Sequence, residues 1–513
     1  MSGLPHVRNA VERFAQRVAL IEGDRRWTFR EFDQIADHIA RGLAARLPPG
    51  SRVGMFMSNC AEYMMLQFAI ERAALVRVPL NARYTAFEVA NVMEDCGATA
   101  LFYDKATAPA LRELDNPGIW LCAVDSIDAT NGPTWQQLLA AGDREAMPGE
   151  PGLDDLCSIN YTSGSSGKPK GVMLSHRKWR NVYRNMLIDR DVAGSDRLAH
   201  VGPLTHASGT YFTPFFMRGA TNVIVEGGKI DALLDTIERE RITVFSCVPT
   251  VLTRIVNHPD VDRADFSSLR WIGYGAESIQ TNVLEKAIGR FGPILTQNYG
   301  LTEAMMTCTR LTPQEHFLDG GSDGGLRLGT IGRPYSFVEV ELRDPDGKVV
   351  GEGEVGEITI RAEHMMEGYW ERPEETAKVL REGWLWSGDL ARRDAEGFIY
   401  LMGRSKEMLI SGGFNIYPQE VENCLSACPG VMEAAVVGMP DENLGEIAIA
   451  FVVGARGERL TEDSCLAYCK PLLGIKTPKR WHMIEALPRT PNGKVDKAAL
   501  RRQYLGNGKA ADG

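Results

Sequence analysis

No stretch of the 513-residue chain approaches the ~18–20 consecutive apolar residues that a membrane-crossing helix needs. The opening segment, MSGLPHVRNAVERF, has no basic region followed by an apolar run, so it does not read as a secretory signal, and a cytoplasmic protein is expected. Positive charge is not in excess. Lys and Arg number 57 against 67 Asp and Glu, for a net charge of −10. A nucleic-acid partner, which calls for a basic face, is therefore not expected. A phosphorylated small molecule remains compatible, because such sites are local. The chain shows no fixed-period repeat and no low-complexity tract, which argues against solenoids and disordered tails. The ten cysteines are scattered and have no histidines at zinc-finger spacing. Dispersed cysteines in a large chain read as reduced, buried thiols. Two pairs, Cys424/Cys428 and Cys465/Cys469, are spaced to share a helix face. A four-cysteine zinc site is the sharp reading of them and small apolar residues lining helices the bland one. Structural zinc commonly uses a two-residue gap, so the bland reading is preferred.

What is present is alternation. Thr28 and Glu31 stand at capping-box spacing, and Phe32, Ile35, Ala36, Ile39 and Leu43 follow at helical period until Pro48, Pro49 and Gly50 stop them. RVGMFMSN then reads as a buried strand, AEYMMLQFAIERAALV as a core helix and VRVPLN as a strand again. This rhythm continues to about residue 330 and implies mostly parallel sheets covered by helices. From about 335, short strands joined by DG, EG and GEG turns imply antiparallel β structure. After residue 404 comes a smaller α/β stretch, with helices at 418–427 and 461–473. The expected fold is therefore α/β. It has a large N-terminal domain, 1–403, of two helix-covered sheets plus a small β-barrel-like subdomain. A hinge at 404–406 and a small, mobile α+β C-terminal domain, 407–513, follow.

The most informative segment is YTSGSSGKPKG, Tyr161 to Gly171. Glycines let backbone N–H groups crowd around an anion, hydroxyls add donors, and Lys168 and Lys170 add positive charge. That is a composition for holding a polyphosphate. It is not a Walker loop: two residues, not four, separate Gly164 from Gly167, and Pro169 follows the lysine.

With PLTHASG (203–209), GYGAE (273–277), QNYGLTE (297–303), GYWERPEET (368–376), WLWSGDL (384–390), GRSKEMLISGGFNIYPQEVE (403–422) and PRTPNGKVDK (488–497), that loop makes eight motifs in one order. In that order they resemble the adenylate-forming superfamily: acyl-CoA synthetases, luciferases and peptide-synthetase adenylation domains. The resemblance is closest to bacterial fatty-acid or aryl-acid CoA ligases. It implies ATP, Mg2+ and coenzyme A as cofactors or co-substrates, and a small-molecule carboxylic acid as substrate. A homodimer is kept as the oligomeric expectation.

The resemblance also assigns residues. Thr162, Ser163, Gly164, Ser165, Ser166, Gly167 and Lys168 would hold phosphates. Gly275, Ala276 and Glu277 would pack on the adenine. Asn298, Tyr299, Gly300 and Leu301 would run along adenine and acyl pocket, and Thr302 would contact the α-phosphate. Glu303 would bind the metal, Asp389 the ribose, and Arg404 the nucleotide. Lys494 would bridge carboxylate and α-phosphate, Lys406 would be the hinge, and Gly412 and Gly413 would let a pantetheine arm pass. His206 is implied at the acyl pocket, moving between half-reactions. With it, Ala207, Tyr211, Val248, Tyr274, Gly275, Leu301 and Met306 would line that pocket. These residues are mostly apolar or small, and they offer neither a cation for a second carboxylate nor an acid for an amine. A hydrophobic acid is thus expected. The sequence departs from the family pattern at Thr205, at Leu301 and at Ser165–Ser166, where the hydroxyls survive. Two other readings stand beside the acyl-CoA synthetase: a free-standing adenylation enzyme that loads a carrier protein, and a nucleotide-binding regulator without catalysis.

Overall fold

The computed structural model describes residues 4–112, 118–125, 132–142, 149–162, 169–318, 325–455, 460–490 and 494–508. The alternation read from the sequence becomes two sheets. One has nine strands. Its central six, from Leu295–Tyr299 through Trp271–Gly275, Val244–Cys247, Arg197–His200 and Thr221–Ile224 to Val18–Glu22, are all parallel. The other has seven strands, five of them parallel; Leu156–Thr162, the last of these, pairs antiparallel with Lys170–Ser175, which is followed by the edge strand Gly368–Tyr369. Helices cover both because the connections between parallel strands must cross a face. The first begins as expected. Thr28 and Glu31 form the reciprocal capping box of the helix Phe29–Ala44, which buries Phe32, Ala36, Ile39 and Leu43. Those side chains meet the helix Ala61–Arg72, which is buried on nearly every face.

The switch to turn-linked strands also holds. Val338–Arg343, Val355–Ala362, Trp384–Arg393 and Ile399–Arg404 form an antiparallel unit. Beyond it, Val431–Asp441 and Gly445–Gly454 pair over ten positions, flanked by the helices Pro418–Ser426 and Glu462–Leu473. The fold is the expected one: a large α/β N-terminal region with a β unit, then a smaller α+β C-terminal domain. No described helix is long and apolar enough to cross a membrane.

Among the described residues, three side-chain hydrogen bonds join the C-terminal domain to the surroundings of the nine-stranded sheet. Ser278 Oγ donates to Gln419 Oε1 (2.8 Å), Asn282 Nδ2 to the Val431 carbonyl (3.4 Å), and Arg489 Nη1 to Thr250 Oγ1 (3.3 Å). The two cysteine pairs face each other across the domain's helices, with Cys424 Sγ 3.7 Å from Cys469 Sγ. No three of the four sulfurs lie within 4.8 Å of one another. A zinc tetrahedron with Zn–S near 2.3 Å has edges of only ~3.8 Å.

Burial also fixes protonation. His176, His200, His316 and His364 are all but inaccessible, and loss of water lowers the first three to about 4 and His364 to about 3. Below pH 6.5 the unfolded chain therefore takes up protons that the folded chain refuses, so stability falls as pH falls. Between pH 7 and 5.5 each buried histidine should remove on the order of 1 kcal/mol. Urea midpoints across that interval should fall steadily, and a flat profile would contradict the burial.

Candidate functional site

Several of the expected site residues, among them His206, Val248, Gly275 and Gly300, lie at or beyond the C-terminal ends of parallel strands. Gly275 and Tyr299 end neighbouring strands, and Gly275 is paired with Asn298. A Cβ on Gly275 would stand 2.2 Å from the Asn298 carbonyl oxygen, so no other residue fits there. Gly300 is constrained in the same way. Its Cβ would lie 2.5 Å from the Met306 Cα, and the bare backbone lets the 301–306 loop fold back over it. Ala276 (φ +70°) and Met306 (φ +57°) both hold left-handed backbone. Such strain in residues with a side chain costs of order 1 kcal/mol each and gathers where surrounding structure dictates the loop.

Asp389 is the centre of the polar network. Its strand, Trp384–Arg393, sets it opposite Arg404 in the antiparallel ladder. Arg404 Nε reaches Asp389 Oδ1 at 2.7 Å, and the Tyr299 hydroxyl donates to Oδ2 at 2.6 Å. Burial pushes the Asp389 carboxyl up, and Arg404, the Tyr299 hydroxyl and the Lys494 charge pull it back. A buried carboxylate stays ionised only with such partners.

Lys494 joins this group from the far end of the chain. The Thr490 N–H donates to the Lys494 carbonyl (2.8 Å), and Arg489 bridges to Val495, so the chain on the two sides of the PNGK motif is held together at the lysine. Lys494 keeps solvent-accessible surface, yet the protein packed around it lowers its pKa. Arg404 lowers it further, while Glu277 and Asp389 oppose the shift. His206 is also partly open to solvent. It precedes the helix Ala207–Met217, meets Thr205 Oγ1 at 2.7 Å through Nδ1, and is lowered to about 4 by burial and then by Lys494. Its imidazole is neutral at pH 7. Five residues spread over nearly 300 positions, His206, Glu277, Asp389, Arg404 and Lys494, thus act on one another.

Glu303 lies beside this group, close enough to stabilise the Arg404 cation. Its Oε1 accepts from the Tyr369 hydroxyl (2.7 Å), and its carbonyl accepts from the Met366 N–H (2.8 Å). Tyr369 therefore orients one oxygen of Glu303. A carboxylate fixed in this way, among charges rather than in the core, suits a hard divalent cation.

Other expected residues face elsewhere. Ser163, Gly164, Ser165, Ser166, Gly167 and Lys168 lie outside the described residues. Their flanks are described: Thr162 pairs with Lys170 across the hairpin, and Lys170 bonds Glu375 (2.5 Å). The Asn298 side chain turns into the core. It accepts from Arg190 and from the Tyr335 hydroxyl (2.8 Å), and donates to Tyr211 Oη (3.0 Å). Tyr211 and Tyr274 are likewise buried, and Tyr274 Oη lies 2.9 Å from His316 Nε2. Ala207, Val248, Leu301, Thr302 and Met306 keep accessible surface, Val248 37% of it. Lys406 is exposed in the turn Ser405–Glu407. Gly412 (φ +57°) and Gly413 (φ +85°) make the exposed turn between Leu409–Ser411 and Phe414–Ile416.

Four residues that matter here were not singled out from the sequence: Arg190, Thr250, Tyr369 and Arg489. Tyr369 and Arg489 lie inside quoted motifs. Arg190 and Thr250 carry no local signature.

Known proteins resemble this chain in sequence and in fold. A family model described as AMP-binding enzyme matches residues 7–370, and one described as AMP-binding enzyme C-terminal domain matches 420–494. A feruloyl-CoA synthase from Amycolatopsis sp is 36% identical over 493 residues, covering 95% of this chain and 96% of the relative. A medium/long-chain-fatty-acid–CoA ligase from Mycobacterium tuberculosis is 34% identical, over 96% of this chain and 89% of its own. Among solved structures, an amide bond synthetase from Marinactinospora thermotolerans superposes with a TM-score of 0.88 at 28% identity, covering 98% of this chain and all of that one.

The lowered pKa of Lys494 makes it a better nucleophile near neutrality than a solvated lysine. Brief treatment with an N-hydroxysuccinimide ester at pH 8 should acylate Lys494 severalfold faster than exposed surface lysines, read by peptide mass spectrometry. Glu277→Gln should speed it further, since Glu277 raises the pKa.

Proposed function

The chain belongs to the AMP-binding enzyme family of AMP-forming acid–thiol ligases, and from that premise we propose that it joins a hydrophobic carboxylic acid to coenzyme A through an acyl-adenylate. In the first step a carboxylate oxygen attacks the α-phosphorus of ATP, the bond to the β-phosphate bridging oxygen breaks, and pyrophosphate leaves. In the second, the thiol sulfur attacks the acyl carbon, the bond to the AMP oxygen breaks, and the thiol proton is lost to solvent.

The observation that carries this reading is that Lys494 lies within electrostatic reach of Arg404, Asp389, Glu277 and His206. The first step brings two anions together. A cation set between them lowers the barrier by lying where negative charge converges. Lys494 supplies that cation on a flexible stem. Asp389, held by Tyr299 and Arg404, presents acceptors suited to two neighbouring ribose hydroxyls. His206, neutral at working pH, adds no charge and leaves the acyl side apolar. A magnesium ion, when bound, would neutralise phosphate charge, and Glu303, with Tyr369 fixing one of its oxygens, is the residue that would hold it.

Val248, Leu301, Met306 and Ala207 support a hydrophobic acid, since each is apolar or small and keeps accessible surface. The relatives named for ferulate and for medium and long fatty acids point the same way. Lys406, followed at once by Glu407 paired with Lys497 (3.1 Å), stands where a hinge would turn the C-terminal domain. The turn at Gly412 and Gly413 is then the segment that would meet the pantetheine arm. The solved amide bond synthetase keeps a second reading open, in which an amine takes the acyl group.

ATP–pyrophosphate exchange across a panel of fatty and aryl acids tests the first step. Product formation with coenzyme A, with a carrier's phosphopantetheine or with an amine then identifies the acceptor. Exchange with hydrophobic acids and thioester with free coenzyme A are expected. Lys494→Ala should reduce exchange at least ~100-fold, in the range of losing an aimed charge, while thioester formation from supplied acyl-adenylate persists. An alanine variant with unchanged exchange would remove Lys494 from the first step.

A further inference from the structure

We propose that Thr250 and Arg489 are positioning residues for Lys494: a relay from Glu277 through the Thr250 hydroxyl to Arg489 seats the lysine loop on the N-terminal domain. The proposal rests on the two-step reading above and extends it to residues that touch no reactant.

A threonine hydroxyl has one proton to give and two lone pairs to offer. At Thr250 both capacities are used. The hydroxyl donates to Glu277 Oε1 (2.8 Å) and accepts from Arg489 Nη1 (3.3 Å). The Thr250 N–H, in the first turn of the helix Pro249–Val256, donates to the same Glu277 oxygen (3.0 Å). Glu277 is thereby fixed two residues beyond the strand Trp271–Gly275, within electrostatic reach of the lysine, whose charge it stabilises.

Arg489 is held from its own side as well. Its Nη2 bonds Glu433 Oε1 (2.7 Å) on the strand Val431–Asp441, so the guanidinium spans the two domains. Arg489 also forms the base of the loop, because it bridges to Val495 while Thr490 N–H closes on the Lys494 carbonyl. Fixing Arg489 therefore fixes the origin from which the Lys494 side chain reaches. Of the three interdomain hydrogen bonds described above, this one alone starts at that loop. Ser278–Gln419 and Asn282–Val431 hold the domain without touching it.

A guanidinium–hydroxyl bond at 3.3 Å is weak and partly solvated, so its loss should barely change stability. Its effect is on aim, and a misplacement of about 1 Å can cost ~100-fold in rate. The test uses full-length Thr250→Val, Thr250→Ser and Arg489→Met, each first compared with the parent by thermal melting. Thr250→Val and Arg489→Met should lower the exchange kcat about tenfold or more, with KM for ATP and acid within about threefold. Thr250→Ser, which keeps the hydroxyl, should restore most of the rate. Thioester formation from supplied acyl-adenylate should stay at the parental level in all three. The proposal is overturned if Arg489→Met keeps exchange within twofold, if Thr250→Ser is as impaired as Thr250→Val, or if both half-reactions fall together. A parent that shows no exchange with any acid overturns the proposed function itself, a separate result.

Discussion

A carboxylate removed from water has to be met by donors, and the chain meets that demand at one junction. Asp389 belongs to the antiparallel β unit, Tyr299 to the nine-stranded sheet, and Arg404 to the last strand before the C-terminal domain. Removing a partner from a buried charge costs ~3–5 kcal/mol, far more than the pair contributes by existing. Tyr299 is the donor that reaches Asp389 from the sheet, so a shift of the β unit against the sheet would cost the carboxylate that hydrogen bond while Arg404 moved with it. The same ladder fixes where the chain leaves for the C-terminal domain, because Arg404 is both the partner of Asp389 and the final residue of its strand. One pair thus sets both the surroundings of the Asp389 carboxylate and the point where the chain departs.

The charges around that junction are mixed. Lys494 and Arg404 repel each other, while Asp389, Glu303 and Glu407 favour the Arg404 cation, and Glu277 and Asp389 favour that of Lys494. Arg404 gains on balance. Lys494 does not, because its loss of water is the largest influence on it. The neutrality of His206 fits this balance, because a third cation there would add repulsion on the side where an apolar group is expected to lie.

The sequence carried the fold where local signals agreed. The capping box of Phe29–Ala44, helical periods and turn-linked strands each point to the structure that forms. The reading of the phosphate segment as something other than a Walker loop also holds at its edges, since a strand rather than a helix follows Pro169. The site was legible as motifs, because YGLTE, SGDL and PNGK are short loops whose residue types announce local chemistry. What joins them was not legible. Tyr299 and Asp389 are 90 positions apart, Arg190 and Asn298 108, and Arg489 and Thr250 239. No local pattern marks a hydroxyl in VPTVL as the seat of a loop near the other end of the chain. Asn298 shows the same limit in reverse: its motif places it at the site, but strand alternation turns its side chain into the core, onto Arg190, Tyr211 and Tyr335.

The flanks of the segment 163–168 have a further meaning. Both are strands, with Thr162 opposite Lys170, and the next helix, His176–Asp189, begins only after Ser175. Lys170 is already engaged by Glu375 (2.5 Å), which also meets Lys378. An anion approaching that flank must therefore displace a carboxylate of the chain itself, and the exchange is graded by the ions around it, since partly exposed pairs are screened by salt.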